Sequence, residues 1–267
     1  MEQKTSPDYK NWVPKGTVAS LTASAFLSFA MTGLFAAIWI KKGSPLFLVL
    51  FLILAVCTLA LIAISAYMRI WHNAFSYTGK RKLAARIIDG TAEFVTVKEG
   101  GTCLDVGCGS GALAIAVAKR NPTVKVVGLD RWGLDYASFS KQLCEDNSRA
   151  EGVDNTEFVK GDAVKLPFED ESFDAVTSNY VYHNIPSKDR QALLLESLRV
   201  LKKGGTFVIH DLFTKRKYGD MNEFIEKLKS LGYESAELID TANGKFMTKK
   251  EADFLFLKGS AILIGKK

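Results

Sequence analysis

The sequence predicts an α/β domain, a mostly parallel sheet with helices on both faces, preceded by a two-helix transmembrane hairpin. Three observations carry this expectation. Two uncharged apolar stretches, Gly16 to Ile40 and Gly43 to Met68, fill much of the first quarter of the 267 residues. From Gly100 onward short β-rich runs alternate with helical ones, the order that builds parallel βαβ units. A glycine-dense bend, LDVGCGSG from Leu104 to Gly111, follows the first of those runs, where sheets of this kind bind ligands.

Each apolar stretch is long enough for a bilayer core, which needs about 20 residues of helix. Spans of about 17–40 and 46–68 follow, joined by Lys41-Lys42 and the turn residues Gly43-Ser44-Pro45. Ser20, Ser24, Ser28 and Thr32 recur every four residues and are followed by Ala36. Such a stripe lets two helices approach closely and share hydrogen bonds, and hairpin packing is favoured over a polar track for a substrate. Trp12, Trp39, Tyr67 and Trp71 stand where an interfacial aromatic belt would be. Two lysines sit in the connecting loop. Lys4, Lys10, Lys15, Arg69, Lys80, Arg81, Lys82 and Arg86 flank the pair on its outer sides. That asymmetry places both ends, and the domain that follows, on the cytoplasmic side of a two-pass membrane protein.

The remaining elements follow in order. TCLDV is a first strand, Ala112 to Arg120 a helix, VKVVGLD a second strand, and Leu134 to Glu151 a helix. TEFVK and FDAVTSN are the next strands. Lys188 to Lys202 is a helix with Leu193, Leu194, Leu198 and Leu201 on one face, and Gly204-Gly205 reads as its C-terminal stop. TFVIHD, a helix over Met221 to Leu231, SAELID and a closing apolar run SAILIG complete the pattern. The expected organisation is an N-terminal segment with two spans over 1–71, a connecting and cofactor-covering helical segment over 72–99, and the α/β domain over 100–267.

Composition narrows the function. A net charge of +6 makes no case for nucleic acid, and the four cysteines have neither the spacing nor the histidine neighbours of a zinc site. The bend ends Gly109-Ser110-Gly111-Ala112 without the lysine of a nucleotide-hydrolysing P-loop. It does match the loose dinucleotide fingerprint, and Asp130 at the end of the second strand suits the ribose of either a dinucleotide or a nucleoside cofactor. Asp105, Asp130 and Asp162 place acids near three strand ends, a rim that suits a cation and opposes a pyrophosphate.

LDVGCGSG, GLD at Gly128 to Asp130, GDAVKLPFEDESFDAV and LRVLKKGGTFVIHD together resemble the class I methyltransferases that use S-adenosylmethionine (SAM), over about residues 75–265. The resemblance implies a Rossmann-like seven-stranded sheet whose last strand, SAILIG, is antiparallel. The hairpin is an addition to that pattern. It also implies that Asp130 holds the ribose hydroxyls. Gly107, Gly109 and Gly111 would let the main chain approach the cofactor, and Asp105 would orient the loop or the ammonium. Asp162 and the Ala163 amide would read the adenine edge, Trp132 would flank it, Asn179 would face the methionine portion, and Tyr77 would lie on the covering segment.

Candidates for the chemistry cluster after the fourth strand, in NYVYHNI, and at the end of the fifth. His183 can take a proton near neutral pH, Tyr180 and Tyr182 can line an acceptor pocket, and Asp211 faces the mouth with His210. No metal is expected. The anchor points to a small lipophilic or membrane-associated acceptor. A nicotinamide-dependent membrane oxidoreductase and a non-catalytic SAM-binding membrane module are the alternatives.

Overall fold

The computed structural model describes residues 6–133 and 138–267. The chain divides into two compact units, Asn11–Ala85 on the one hand, and the described part of Met1–Lys10 with Arg86–Lys267 on the other.

The first unit is built on α1 (Lys15–Lys42) and α2 (Pro45–Ala74). Gly43 closes α1 with a left-handed φ of 64°, its amide donating to the Trp39 carbonyl at 2.8 Å. Pro45 opens α2 at the position where its missing N–H costs nothing. Both helices are long and apolar enough to cross a membrane, and they expose Phe26, Leu34, Val56, Leu59 and other large apolar side chains. Their contact is partly polar. Thr58 is buried between Ser28 and Thr32, with its hydroxyl 2.7 Å and 2.9 Å from theirs. Two members of the sequence's small-residue stripe, Ser28 and Thr32, thus meet across the pair, while Ser20 and Ser24 are exposed. Trp39 stacks on Phe51 nearer the connecting turn. At the other end Asn11 donates to the His72 carbonyl, and the His72 ring is 2.8 Å from the Val13 carbonyl. These contacts fasten the segment ahead of α1 to the end of α2, six residues beyond the expected Met68.

The second unit is the α/β domain. A helix α3 (Leu83–Ala92) contains the boundary between the units. Then come β1 (Thr102–Val106), α4 (Ala112–Arg120), β2 (Lys125–Asp130), α5 (Lys141–Ala150), β3 (Thr156–Lys160) and β4 (Phe173–Asn179). After them lie α6 (Arg190–Arg199), β5 (Leu201–Leu212), α7 (Lys215–Tyr218), α8 (Met221–Ser230), β6 (Ser235–Asp240), α9 (Lys249–Phe254) and β7 (Ser260–Lys266). The seven strands form one sheet in the order β3-β2-β1-β4-β5-β7-β6. β1 to β5 are parallel, while β7 is antiparallel to both neighbours and enters between β5 and β6. β1 and β4 are buried along almost their whole length, as strands covered by helices on both faces must be. The chain moves outward from β1 in one direction through β2 and β3, and from β4 in the other through β5. The β1–β4 seam is therefore the topological switch point, where a crevice opens at the carboxyl ends of the strands.

Two sequence expectations need correction. The helix expected over Lys188 to Lys202 is α6, shorter at both ends. Asp189 is its N-cap, its side chain accepting from the Ala192 amide at 3.0 Å, and the helix stops at Arg199. Gly204-Gly205 is not its cap. Leu201 already pairs with Phe173, and the glycines absorb the register shift before Thr206 pairs with Ala175. A Cβ on Gly205 would lie 2.8 Å from the Asp174 carbonyl, so the bulge requires glycine there. The helix expected from Leu134 begins outside the described residues; its described part is α5, opened by Ser140, whose hydroxyl accepts from the Leu143 amide.

The Thr58 hub generates a first prediction. Thr58→Val keeps the shape and removes the shared hydroxyl, and should lower the stability of the α1–α2 pair by about 1 kcal/mol. Reversible unfolding of the full chain in mixed micelles, followed by circular dichroism, measures this; an unchanged transition would mean that the hydroxyls do not hold the pair.

Candidate functional site

The site is built from the bend between β1 and α4. The amides of Gly107 and Cys108 both donate to the Leu129 carbonyl, at 2.7 Å and 3.0 Å, pinning the bend to the end of β2. Gly107 has a φ of +73°, and a Cβ there would lie 2.4 Å from a Val181 methyl. No other residue type fits both the backbone and the space. Asp130 reaches back from the end of β2. One carboxylate oxygen accepts from the Gly109 amide at 2.9 Å and the other from the Trp132 amide at 2.8 Å. Trp132, with φ +42°, turns its indole onto the bend and donates through Nε1 to the Gly109 carbonyl at 3.0 Å.

The helix α5 holds the same bend from behind. Cys144 Sγ donates to the Gly109 carbonyl at 3.2 Å, and the buried Asn147 donates through Nδ2 to the Ser110 carbonyl at 2.9 Å. Asn147 also exchanges hydrogen bonds with the backbone of Asp8, accepting from its amide at 2.7 Å and donating to its carbonyl at 3.1 Å. Sequence reasoning missed both side chains. The available signal was their spacing, three apart on the buried face of α5, where an asparagine has no business unless it is hydrogen bonded.

Sheet register places the acids. Asp105 lies within β1, opposite Gly128 of β2 and Thr177 of β4. It is fully buried. The Thr177 hydroxyl donates to Oδ1 at 3.1 Å, while Oδ2 has no hydrogen-bond partner among the described residues. Burial raises its pKa to about 7, against the opposing pull of the Thr177 hydroxyl and the Ala114 amide. The rim of acids expected from the sequence therefore carries its full charge only above neutral pH. Asp130 ends β2. Asp162 lies just past β3, exposed, its carboxylate accepting from the Val164 amide, with Ala163 buried beside it.

Across the seam, β4 ends at Asn179 and the chain turns sharply through Tyr180, whose φ is +55°. A single 3-10 turn, Tyr182–Asn184, follows. It presents His183, whose Nδ1 lies 2.6 Å from Oδ1 of Asp211 at the end of β5. Asp211 is completely buried and also accepts from the amides of Tyr182, His183 and Leu212. Since a carboxylate only accepts, His183 donates from Nδ1, and in the neutral ring the lone pair is then on Nε2. Tyr180 bonds Ser260 Oγ through its hydroxyl at 2.5 Å and sets its ring 5.9 Å from that of His183.

Two neighbours have other placements than the sequence suggested. Tyr182 is buried in the core, its hydroxyl 2.6 Å from Ser197, so it braces the turn from beneath and lines no pocket. His210 does not face the mouth. It is enclosed between Asn179 Oδ1 and Thr241 Oγ1, both at 2.8 Å, and burial lowers its pKa to about 3, so it stays neutral. Tyr77 belongs to the helical unit.

A family profile described as a methyltransferase domain matches residues 97–255, more than half of the chain and all of it within the α/β unit. The chain belongs to the class I SAM-dependent methyltransferases. The nicotinamide reading falls with that membership. Curated relatives include the demethylmenaquinone methyltransferases of Staphylococcus aureus strains JH9 and Newman, each 40% identical over 114 residues. That match takes in 42% of this chain and 43% of theirs, less than half the length of either. Among solved structures, the cyclase SpnF superposes with a TM-score of 0.54 at 22% identity, over 70% of this chain and 82% of its own. A Nostoc punctiforme protein described as an O-methyltransferase gives 0.50 at 17% identity, over 69% and 57%. Both likenesses are of the fold.

The residues fit the family's cofactor. SAM carries an ammonium and a sulfonium and no phosphate. The methyltransferase unit offers it a bend in which every second residue is glycine, a carboxylate at the end of β2, and a buried carboxylate oxygen without a hydrogen-bond partner among the described residues.

Because Asp105 is raised in the folded state, that state binds its proton more tightly than the unfolded chain does. The cost of burying it is absent near pH 4, grows as pH rises toward 7, and is constant above. Asp105→Asn should therefore be the more stable protein at pH 8, by up to about 4 kcal/mol, with the advantage shrinking at pH 5. Denaturant unfolding of both proteins at the two pH values checks this; a pH-independent difference would contradict it.

Proposed function

We propose that the protein transfers a methyl group from SAM to a lipophilic, membrane-associated acceptor of the quinone or phenol class, with α1 and α2 as its two-pass anchor. The observation that carries this reading is the His183–Asp211 pair, 2.6 Å apart, beyond the carboxyl end of β4 and at that of the adjacent β5, on one side of the switch point.

SAM, when bound, supplies a methyl carbon already activated by positive sulfur. The chain has to align the acceptor, exclude water and, where the acceptor keeps a proton, remove it. A phenol or a reduced quinone keeps one. His183 is equipped to accept it at Nε2, because Asp211 holds the opposite nitrogen as a donor and stabilises the imidazolium that forms. Asp211 is itself fixed by three backbone amides, so the pair is held before any acceptor arrives. Tyr180 stands edge-on to His183 and supports the acceptor's position.

On the cofactor side, Asp130 accepts the ribose hydroxyls with the lone pairs left by the Gly109 and Trp132 amides. Asp105 meets the ammonium, and Gly107, Gly109 and Gly111 let the main chain come close. Asp162 and the Ala163 amide read the adenine edge, and Trp132 flanks it. Asn179, its oxygen engaged by His210, donates from its amide nitrogen toward the methionine portion. The relatives named for demethylmenaquinone support a quinone-type acceptor, and the exposed apolar surface of α1 and α2 supports the anchor.

The test is incubation of detergent-purified full-length protein and methyl-labelled SAM with a quinone-containing lipid extract. A labelled apolar product is expected. His183→Ala and Asp211→Asn should lower its rate of formation by roughly 10²–10⁴-fold while SAM affinity, read by calorimetry, stays unchanged. Full activity in both variants would remove the proton-accepting role, and SAM binding without any labelled product would favour the non-catalytic module.

A further inference from the structure

The segment between β6 and β7 packs on its inner side against residues behind the site. Phe246 packs edge-on to His210 at 5.4 Å, Thr241 bonds the same histidine, and Ser260 holds Tyr180. Its outer side is different. Along α9 and the residues that follow, the chain alternates. Ala252, Leu255 and Leu257 are buried, while Phe254 and Phe256 stand out at 45% and 69% exposure. Phe256 adopts a φ of +55°, an uncommon conformation for a bulky residue, and it turns an aromatic ring outward. The platform is well made. Thr248 and Glu251 form a reciprocal capping box at the start of α9.

The charges around these rings are mixed with a positive excess: Glu251 is engaged in the capping box, Asp253 is exposed beside Phe254, and three lysines outnumber them. Lys249, Lys250 and Lys258 are exposed, and among the described residues none of them is in an ion pair. Exposed aromatic rings in a segment with a net excess of lysine match the chemistry of an anionic bilayer surface, where rings enter the headgroup boundary and ammonium groups meet lipid phosphates. A soluble acidic protein would satisfy the lysines but would need an apolar pocket as well to cover the exposed ring surface.

The geometry points to Phe254 and Phe256 as a second membrane contact, a lip inserted into the anionic leaflet beside the acceptor side of the site. The lip rests on the reading of α1 and α2 as an anchor, which brings a bilayer within reach of the same chain. A lipophilic acceptor could then pass from the leaflet to Tyr180 and His183 along the segment that carries the lip, without crossing water.

The test uses the full chain in nanodiscs of mixed anionic and neutral lipid. A nitroxide is attached at Phe256→Cys in a Cys57→Ser background, since the other three cysteines are buried. A control label goes at Ile62→Cys in α2 and a solvent reference at Glu226→Cys in α8. The expected result is a label at 256 that is several-fold more accessible to oxygen and several-fold less accessible to a water-soluble nickel chelate than the label at 226. Replacing Lys249, Lys250 and Lys258 by Glu should return the label at 256 to water. A label at 256 in water with that at 62 in lipid overturns the lip and leaves the anchor standing. Both labels in water overturn both readings, and 256 in lipid with 62 in water upholds the lip while removing the anchor.

Discussion

A bend with three glycines in five residues has to be held still by groups it does not own. Glycine gives the bend its shape and its closeness to a ligand, and loses more freedom on folding than any other residue. The fixing therefore comes from three sides. The Leu129 carbonyl takes two of its amides, Asp130 takes a third, and Trp132, Cys144 and Asn147 cover its carbonyls. Everything proposed for the cofactor depends on this arrangement, since a donor and an acceptor must meet within a fraction of an ångström.

The two buried acids of the site show how environment divides labour between like groups. Asp211 accepts from three backbone amides and an imidazole. Asp105 has the Thr177 hydroxyl and the weaker pull of the Ala114 amide but no hydrogen-bond partner on Oδ2 among the described residues, and burial lifts its pKa to about 7. A saturated carboxylate makes a fixed partner for a histidine. A deprived one is short of a cation, and an arriving ammonium would both pair with it and draw off its proton.

Much of this was legible in the sequence because it is local. TCLDV, TEFVK, FDAVTSN and SAELID are strands with the expected bounds, since period and β-branching are properties of short runs. Asp105, Asp130 and His183 could be named because a motif or a strand end points to them. What could not be read depends on register. Thr177 beside Asp105, Asp211 beside His183, and Asn179 against His210 are pairings between residues 28 to 72 apart. Gly204-Gly205 misled for a related reason: the same pair that ends a helix also serves a bulge, and only the pairing of Leu201 with Phe173 decides between them.

Asn147 joins two parts of the chain that are remote in sequence. One hand of its amide holds the Ser110 carbonyl of the bend, and its remaining contacts grip the backbone at Asp8, seven residues ahead of α1. A shortened protein that starts after the apolar helices, the usual route to a water-soluble catalytic fragment, would discard that grip along with the grease. Asn147 would keep its hold on Ser110 but face solvent where a peptide had been, so loss of function in such a fragment would not by itself speak for the lipid.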